Sequence, residues 1–192
     1  MSISHRIRHR DVRLLSDNRY ILKVTIFDWL RSDGEWQTMS RETYDRGNGA
    51  TLLPYNRSTR RILLVRQFRY PAFVNGHDDL LLETPAGLLD DHDPETRIRL
   101  EVEEETGYRL GAIEKIFDCF MSPGSVTERL HFFVGEYDAS MKRSAGGGVK
   151  SEGEDISVVE LPIEEATDMV RDGRIRDAKT IMLLQYAVLN LL

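Results

Sequence analysis

A single helix with clear start and stop signals, set among short strand-like segments, is the feature that most restricts the fold of this chain. Asp93 can cap the free backbone N–H groups at the helix start, Pro94 suits the first helical position, and Gly107 favours the helix end. Strand-like runs of unequal number precede and follow it, which is not the regular alternation of a doubly wound fold. We therefore predict an α/β (α+β) chain with an α/β/α sandwich around a mixed sheet.

The expected elements follow from short apolar, β-branched runs and from the turn residues between them. Helices are predicted at residues 93–106, 162–172 and 177–191. Strands are predicted at residues 20–30, 36–44, 50–55, 61–68, 80–84, 113–121, 131–137 and 156–160. The glycine-rich stretch at residues 144–148 interrupts an unusually long connection, which we interpret as a mobile active-site loop or as an ordinary flexible surface loop.

Composition limits the classes of function. The chain has 192 residues, 41% hydrophobic and 30% charged, as in an ordinary globular domain that needs no membrane. Its net charge of −6 argues against a general nucleic-acid binder, because such affinity depends on many Lys and Arg contacts to phosphate. Cys119 lies in an apolar run and is expected to be buried. Because it is the only cysteine of the sequence, no disulfide scaffold is predicted.

The first residues are basic but lack the long apolar stretch of a secretory signal, and no segment approaches the roughly 20 apolar residues of a membrane span. We therefore expect a cytoplasmic protein. His5 and His9 have the i, i+4 spacing of a helical zinc pair, but no further ligand lies nearby in the sequence. We interpret this segment as a solvated end.

Three glutamates of the central helix lie within one arc: Glu101, Glu104 and Glu105. We expect them to share the side that faces the protein. The alternative is a solvated acidic face, but acids in the last turn oppose the helix dipole and repel one another. A cation reverses both penalties, and clustered carboxylates suit magnesium better than zinc.

The segment from residue 83 to residue 108 resembles the Nudix box, a strand-loop-helix signature that carries metal ligands. Residues 83–90 read ETPAGLLD, and residues 100–108 read LEVEEETGY against the pattern REUxEExGU, in which U is apolar. The chain departs from the pattern where the usual arginine is Leu100 and the upstream glutamate is Asp93, with spacing one residue short.

Further segments resemble the branch of the Nudix family that hydrolyses GDP-mannose and is related to the ADP-ribose pyrophosphatases. They are residues 15–18, 41–50, 65–69, 121–124, 126–128, 131–133, 146–149 and 175–177. The resemblance covers nearly the whole chain. It implies a Nudix-type α/β/α sandwich at residues 46–192, preceded by an antiparallel β lobe at residues 1–45 that forms a homodimer.

The resemblance also implies roles for individual residues. The implied metal ligands are the carbonyl of Ala86 and the side chains of Glu101, Glu105 and Glu154. The implied catalytic residues are Glu154 or Glu152, with Glu104 assisting. The implied substrate contacts are Tyr20 (or Arg19), Arg41, Glu42, Arg69, Ala86, Gly87, Leu88, Glu105 and Glu128, of which Arg41 and Glu42 reach the partner subunit's site. Without the resemblance, Arg66 and Arg69 would be interpreted as ordinary edge-strand charges and Glu128 as a turn residue. Trp29 and Trp36 are interpreted as hairpin packing or dimer interface.

The expected reaction is hydrolysis of GDP-mannose to GMP and mannose 1-phosphate with Mg²⁺, for which Mn²⁺ can substitute. ADP-ribose is the rival substrate, because pocket shape decides base and sugar selection. A rival of another class is a protein that binds nucleotide sugars without cleaving them. Nucleic-acid binding through the Arg-rich start is a weaker third alternative.

Overall fold

The computed structural model describes residues 2–192, apart from the side chain of Glu152. Its contacts divide the chain into two compact units. The first contains the residues up to Asn48 together with Phe120–Arg129, and the second contains Gly49–Cys119 and Leu130–Leu192. The sequence did not predict that Phe120–Arg129 would join the N-terminal residues. Each unit is described separately below.

The first unit is built on an antiparallel sheet in the order β1-β2-β3. Its strands are β1 (Ile7–Ser16), β2 (Ile21–Leu30) and β3 (Trp36–Asp45). The hairpin of β2 and β3 was predicted, with Leu30 paired to Trp36 across the turn. Beyond β3, Thr127 N–H donates to the Tyr44 carbonyl over 3.1 Å, which ties Phe120–Arg129 to this sheet.

The N-terminal end is largely exposed, as predicted, but the strand β1 that its basic residues enter was not predicted. The guanidinium of Arg6 lies 4.4 Å from the ring centre of Trp29, and that of Arg8 lies 3.8 Å from the ring centre of Trp36. In such contacts the guanidinium lies over the aromatic ring and the aliphatic part of the arginine side chain shields apolar surface, while the charge stays near water. A run rich in arginine can therefore be a strand.

The second unit contains a mixed sheet in the order β10-β5-β4-β9-β8, with β6 paired to β5 and β7 to β4. Pairing of β4 with β9 is parallel, and pairing of β5 with β10 is antiparallel. The strands are β4 (Gly49–Asn56), β5 (Arg61–Gln67), β6 (Leu81–Glu83), β7 (Ala86–Leu88), β8 (Ile113–Phe120), β9 (Arg129–Glu136) and β10 (Ser157–Pro162). The strand β7 was not predicted. Cys119 in β8 is half-buried rather than buried.

The helices are α1 (Tyr70–Val74), α2 (Pro94–Thr106), α3 (Ile163–Arg171) and α4 (Ala178–Asn190). The predicted signals of α2 are confirmed: Asp93 accepts hydrogen bonds from the backbone N–H groups of Glu95 and Thr96, and Gly107 has a left-handed φ of 80°. The short helix α1 was not predicted. Along residues 2–192, no helix has both the length and the apolar character needed to cross a membrane.

Residues of β4 alternate between two faces, and each face is covered by a helix. Ala50 and Leu52 pack in one core cluster with Ile98 and Val102 of α2. Between them Thr51 points the other way. It hydrogen-bonds Thr84 over 2.8 Å, and Thr84 N–H donates to Thr180 of α4 over 2.7 Å. Helices on both faces of a mixed sheet confirm the predicted α/β/α sandwich.

Candidate active site

Two of the three predicted glutamates of α2 are buried. Glu101 and Glu105 expose 5% and 1% of their surface, whereas Glu104 is exposed. The expectation that all three share the protein-facing side is therefore wrong for Glu104. The buried arc of α2 runs through Ile98 and Val102, and Glu104 lies outside it on the side of exposed Leu100. A catalytic role for Glu104 stays a prediction.

Glu105 is a buried acid that the described residues leave without compensation. Its Oε2 atom is shielded from solvent and has no hydrogen-bond partner among the described residues. Burial raises the pKa of Glu105 well above its ordinary value, and the negative charges of Glu101 and Glu154 raise it further. Arg69 opposes this rise only in part. The position therefore disfavours an ionised carboxylate unless a positive charge arrives.

Glu101 lies directly against the backbone of β7. A Cβ atom added to Gly87 would be 1.8 Å from Glu101 Oε1, so only glycine allows this approach. The Arg97 guanidinium forms an ion pair with the same carboxylate oxygen, and Arg97 Nε donates to the Leu88 carbonyl over 3.0 Å. The structure thus brings predicted residues Ala86, Gly87 and Leu88 of β7 beside Glu101.

The glycine-rich segment is fixed to the end of α2. Gly147 N–H donates to the Glu105 carbonyl over 2.9 Å, and Gly148 N–H donates to the Glu104 carbonyl over 3.1 Å. Glu154 follows this segment, and its carboxylate accepts a hydrogen bond from Val149 N–H over 2.8 Å. These hydrogen bonds connect the segment to the helix that carries the buried acids, which favours the interpretation as an active-site loop, and its mobility stays a prediction. The side chain of Glu152, the alternative to Glu154, lies outside the described part.

A third buried glutamate, Glu83 at the end of β6, is paired with two cationic side chains. Arg69 Nε donates to its Oε1 over 2.7 Å, and Lys179 Nζ donates to its Oε2 over 2.6 Å. Burial alone would raise the pKa of Glu83, but Lys179 and Arg69 hold it at about 2. Lys179 also forms an ion pair with Asp177, at the start of α4, over 2.9 Å. The predicted substrate residue Arg69 therefore shares its counterion with Lys179.

Sequence reasoning missed Arg97, Lys179 and Asp177. A signal was available for Arg97, because it precedes Glu101 by one helical turn. None was available for Lys179, which is separated from Glu83 by 96 positions.

The acidic cluster of Glu101, Glu105 and Glu154 suits a hard cation, since carboxylate oxygens are the ligands such cations prefer. Within residues 2–192, no three acidic, histidine or cysteine side chains already converge as a ligand set. Binding a cation there therefore requires some of these side chains to turn towards it. The orphaned oxygen of Glu105 shows that the cluster fits such a cation.

The other predicted residues lie in the first unit. Arg46 lies 3.6 Å from the carboxylate of Glu128 and 5.8 Å from the ring centre of Tyr20, so Arg46 joins these two predicted residues. Arg41 and Glu42 are exposed on β3, where they pair with Thr25 and Val24 of β2.

Comparison with known proteins identifies the family of this chain. Residues 6–44 match the family model of the GDP-mannose pyrophosphatase NudK N-terminal domain, and residues 45–184 match that of the NUDIX domain. A GDP-mannose pyrophosphatase of Pectobacterium atrosepticum is 56% identical over 93% of this chain and 92% of its own length. One of Salmonella paratyphi B is 53% identical over 91% of each chain.

A crystal structure of an ADP compounds hydrolase, 17% identical, has the same fold, with a TM-score of 0.70 over 93% of this chain and 90% of that one. Nudix hydrolases generally use a divalent metal, which agrees with the acidic cluster. From its domain matches and its relatives, this chain belongs to the Nudix hydrolase family, in the GDP-mannose pyrophosphatase branch.

Proposed function

We propose that the chain hydrolyses the diphosphate bridge of a nucleoside-diphosphate sugar, with GDP-mannose as its substrate. Relatives named for this activity match at 51–56% identity over more than nine-tenths of the chain, which supports the choice. The structural observation that carries the proposal is Glu105. Its Oε2 atom is buried and has no hydrogen-bond partner among the described residues, and its carboxylate lies near the negative charges of Glu101 and Glu154, as expected of a ligand for a cation.

We propose Mg²⁺ as that cation, with Mn²⁺ able to replace it. The Ala86 carbonyl and the side chains of Glu101, Glu105 and Glu154 would hold it. When bound, a divalent cation offsets the charge of the diphosphate and lowers the pKa of a bound water. The chain fixes where this happens, since Gly87 lets Glu101 approach β7 and Gly147 and Gly148 hold Glu154 near the end of α2.

The remaining residues bind the substrate and move one proton. Arg69 can turn from Glu83 to a diphosphate oxygen, because Lys179 stays behind to neutralise Glu83. Glu154, or Glu152 in its place, accepts a proton from the attacking water, with Glu104 assisting from the exposed side of α2. The water oxygen bonds to one phosphorus as the bridging P–O bond breaks, which yields GMP and mannose 1-phosphate.

We further propose that residues 1–45 form the dimerisation lobe, with residues 46–192 as the hydrolase domain. Val12, Leu14 and Leu15 of β1 are about half exposed, which gives this lobe apolar surface to bury against a second copy. In such a dimer Arg41 and Glu42 reach the partner subunit's site. Tyr20 or Arg19 lines the base pocket, and Glu128 contacts the nucleotide sugar.

Subunit mixing tests this arrangement. Arg41→Ala and Glu105→Gln chains are each expected to be weakly active, but a mixed dimer has one site with both residues intact, so activity rises on mixing. Activity that stays at the level of the parent variants, or a monomer in light scattering, would contradict the shared site.

The activity itself is tested with a panel of nucleoside-diphosphate sugars and Mg²⁺, with products identified by mass. We expect GMP and mannose 1-phosphate from GDP-mannose, and no turnover in EDTA. ADP-ribose competes in the same tube, and faster release of AMP would assign that rival substrate instead. Tight binding of GDP-mannose without cleavage would identify a binding protein and contradict hydrolysis.

A further inference from the structure

One guanidinium contacts both segments that carry proposed cation ligands. Arg97 Nε donates to the Leu88 carbonyl over 3.0 Å, and Arg97 Nη2 forms an ion pair with Glu101 Oε1. Leu88 is the last residue of β7, and Ala86, whose carbonyl is a proposed ligand, is its first. Arg97 therefore ties β7 to the side of α2 that carries the acids.

The carboxylate of Glu101 is confined on two sides. Its Oε1 lies so close to Gly87 that a Cβ there would overlap it at 1.8 Å, and Arg97 closes the other side. The side chains of Arg97 and Glu101 expose only 17% and 6% of their surface, so the pair is shielded from water. A shielded charge pair with a second hydrogen bond has a far better defined geometry than a surface pair.

The arginine of this contact stands at a different helix position from the arginine of the Nudix pattern. The Nudix pattern has its arginine immediately before the first glutamate, where this chain has Leu100, 40% exposed. Arg97 comes one turn earlier on the same face as Glu101. We propose that Arg97 is a positioning residue, which holds Glu101 against β7 so that Glu101 and the Ala86 carbonyl offer their oxygens to one divalent cation. This inference rests on the proposed function, because it takes both groups as ligands.

The positive charge of the same guanidinium also opposes cation binding. A positive charge beside a cation site repels the cation, and an arginine that only competed for Glu101 would weaken cation binding. Removing it would then tighten binding. Residues that orient ligands behave in the reverse way, since their loss typically weakens metal affinity about 10- to 100-fold. The sign of the change therefore separates the two roles.

The test measures Mn²⁺ binding to the full chain by electron paramagnetic resonance, without substrate. Arg97→Met is expected to weaken binding about tenfold, and Arg97→Lys, which keeps the charge but not the two-point contact, to fall between it and the wild type. Arg99→Met is the matched control, because Arg99 pairs with Glu95 on the same helix. It should bind Mn²⁺ as the wild type does. In turnover, Arg97→Met should raise the Mn²⁺ concentration for half-maximal rate more than it lowers kcat.

Circular dichroism in EDTA establishes that each variant is folded, and if Arg97→Met is not, Arg97→Lys decides the question. Equal or tighter Mn²⁺ binding by the folded Arg97 variants, with normal binding by the wild type, overturns the positioning role alone. Failure of the wild type to bind Mn²⁺ overturns the proposed cation site and the inference with it.

Discussion

Glu83 and Glu105 are both almost fully buried in the second unit, yet their surroundings are opposite. Glu83 lies between Arg69 and Lys179, and the pKa of Glu83 falls to about 2. Glu105 is buried and lies near Glu101 and Glu154, so its pKa rises and its Oε2 has no partner among the described residues. The chain supplies its own cations to one carboxylate. Glu105 lacks enough positive charge around it, which is expected of a carboxylate that binds a cation from solution.

The largest expected effect is on stability. Glu83→Gln leaves Arg69 and Lys179 without their shared counterion, so the free energy of unfolding should fall by about 3 kcal/mol, as when a buried pair is broken. Urea unfolding followed by circular dichroism measures this. Glu164→Gln removes an exposed ion pair with Arg60 and should change the free energy of unfolding far less, because water screens exposed pairs. Equal losses of unfolding free energy in the two variants would contradict a special stabilising role for the buried pairs of Glu83.

Glu105→Gln should act on activity instead. We expect kcat/KM for GDP-mannose to fall about 100-fold or more, because a cation ligand is lost. In EDTA its free energy of unfolding should stay level or rise, since a repelling buried charge is removed. Glu103→Gln, on the same helix and paired to Arg109, is the control and should stay active. A Glu105→Gln protein that is unfolded, or fully active, contradicts the comparison.

Cation binding should stabilise the protein by a smaller amount. Mg²⁺ at ten times its dissociation constant raises the free energy of unfolding by about 1.4 kcal/mol if it binds only the folded chain. The same Mg²⁺ should give little gain in Glu105→Gln. Thermal unfolding in matched buffers with and without Mg²⁺ measures the gain in the wild type and in the variant. An equal gain in the variant would place the cation elsewhere.

The smallest expected effect is a difference in pH dependence. Because the folded pKa of Glu105 lies above its ordinary value of 4.5, the folded chain holds this proton more tightly, so Glu105 lowers stability as pH rises from 4.5 through the folded pKa. Glu83 behaves in the opposite sense, since its stabilisation is present above 4.5 and is lost as pH falls towards 2. In EDTA, the stability of the wild type relative to Glu105→Gln should therefore decline above pH 4.5. A constant difference would contradict the assigned pKa direction.

What the sequence predicted well was local. The limits of α2 follow from Asp93, Pro94 and Gly107, which act on backbone groups within a few residues. The mixed sheet between helices also followed from short apolar runs. The strand β1 was not predicted because its start is rich in arginine: Arg8 covers Trp36, and Arg6 just before the strand covers Trp29, contacts that hydrophobic patterning does not detect.

The candidate site was predicted less completely, because its charges meet through tertiary contacts. Spacing alone placed Glu101, Glu104 and Glu105 within one arc, but the packing of α2 on β4 decides which edge of that arc is buried, and it leaves Glu104 out. Lys179 reaches Glu83 from a helix near the other end of the chain. The cytoplasmic location, the homodimer and the individual site roles stay predictions.

The hydrogen bonds from Gly147 and Gly148 to the last carbonyls of α2 limit how this enzyme can be re-engineered. A Cβ on Gly146 would lie 2.4 Å from the Glu105 carbonyl, and one on Gly148 would lie 2.4 Å from the carboxylate of Glu154. Loop grafts intended to alter sugar preference should therefore keep this tripeptide unchanged. Added length belongs upstream of it, at the exposed residues Ala139 and Ser140.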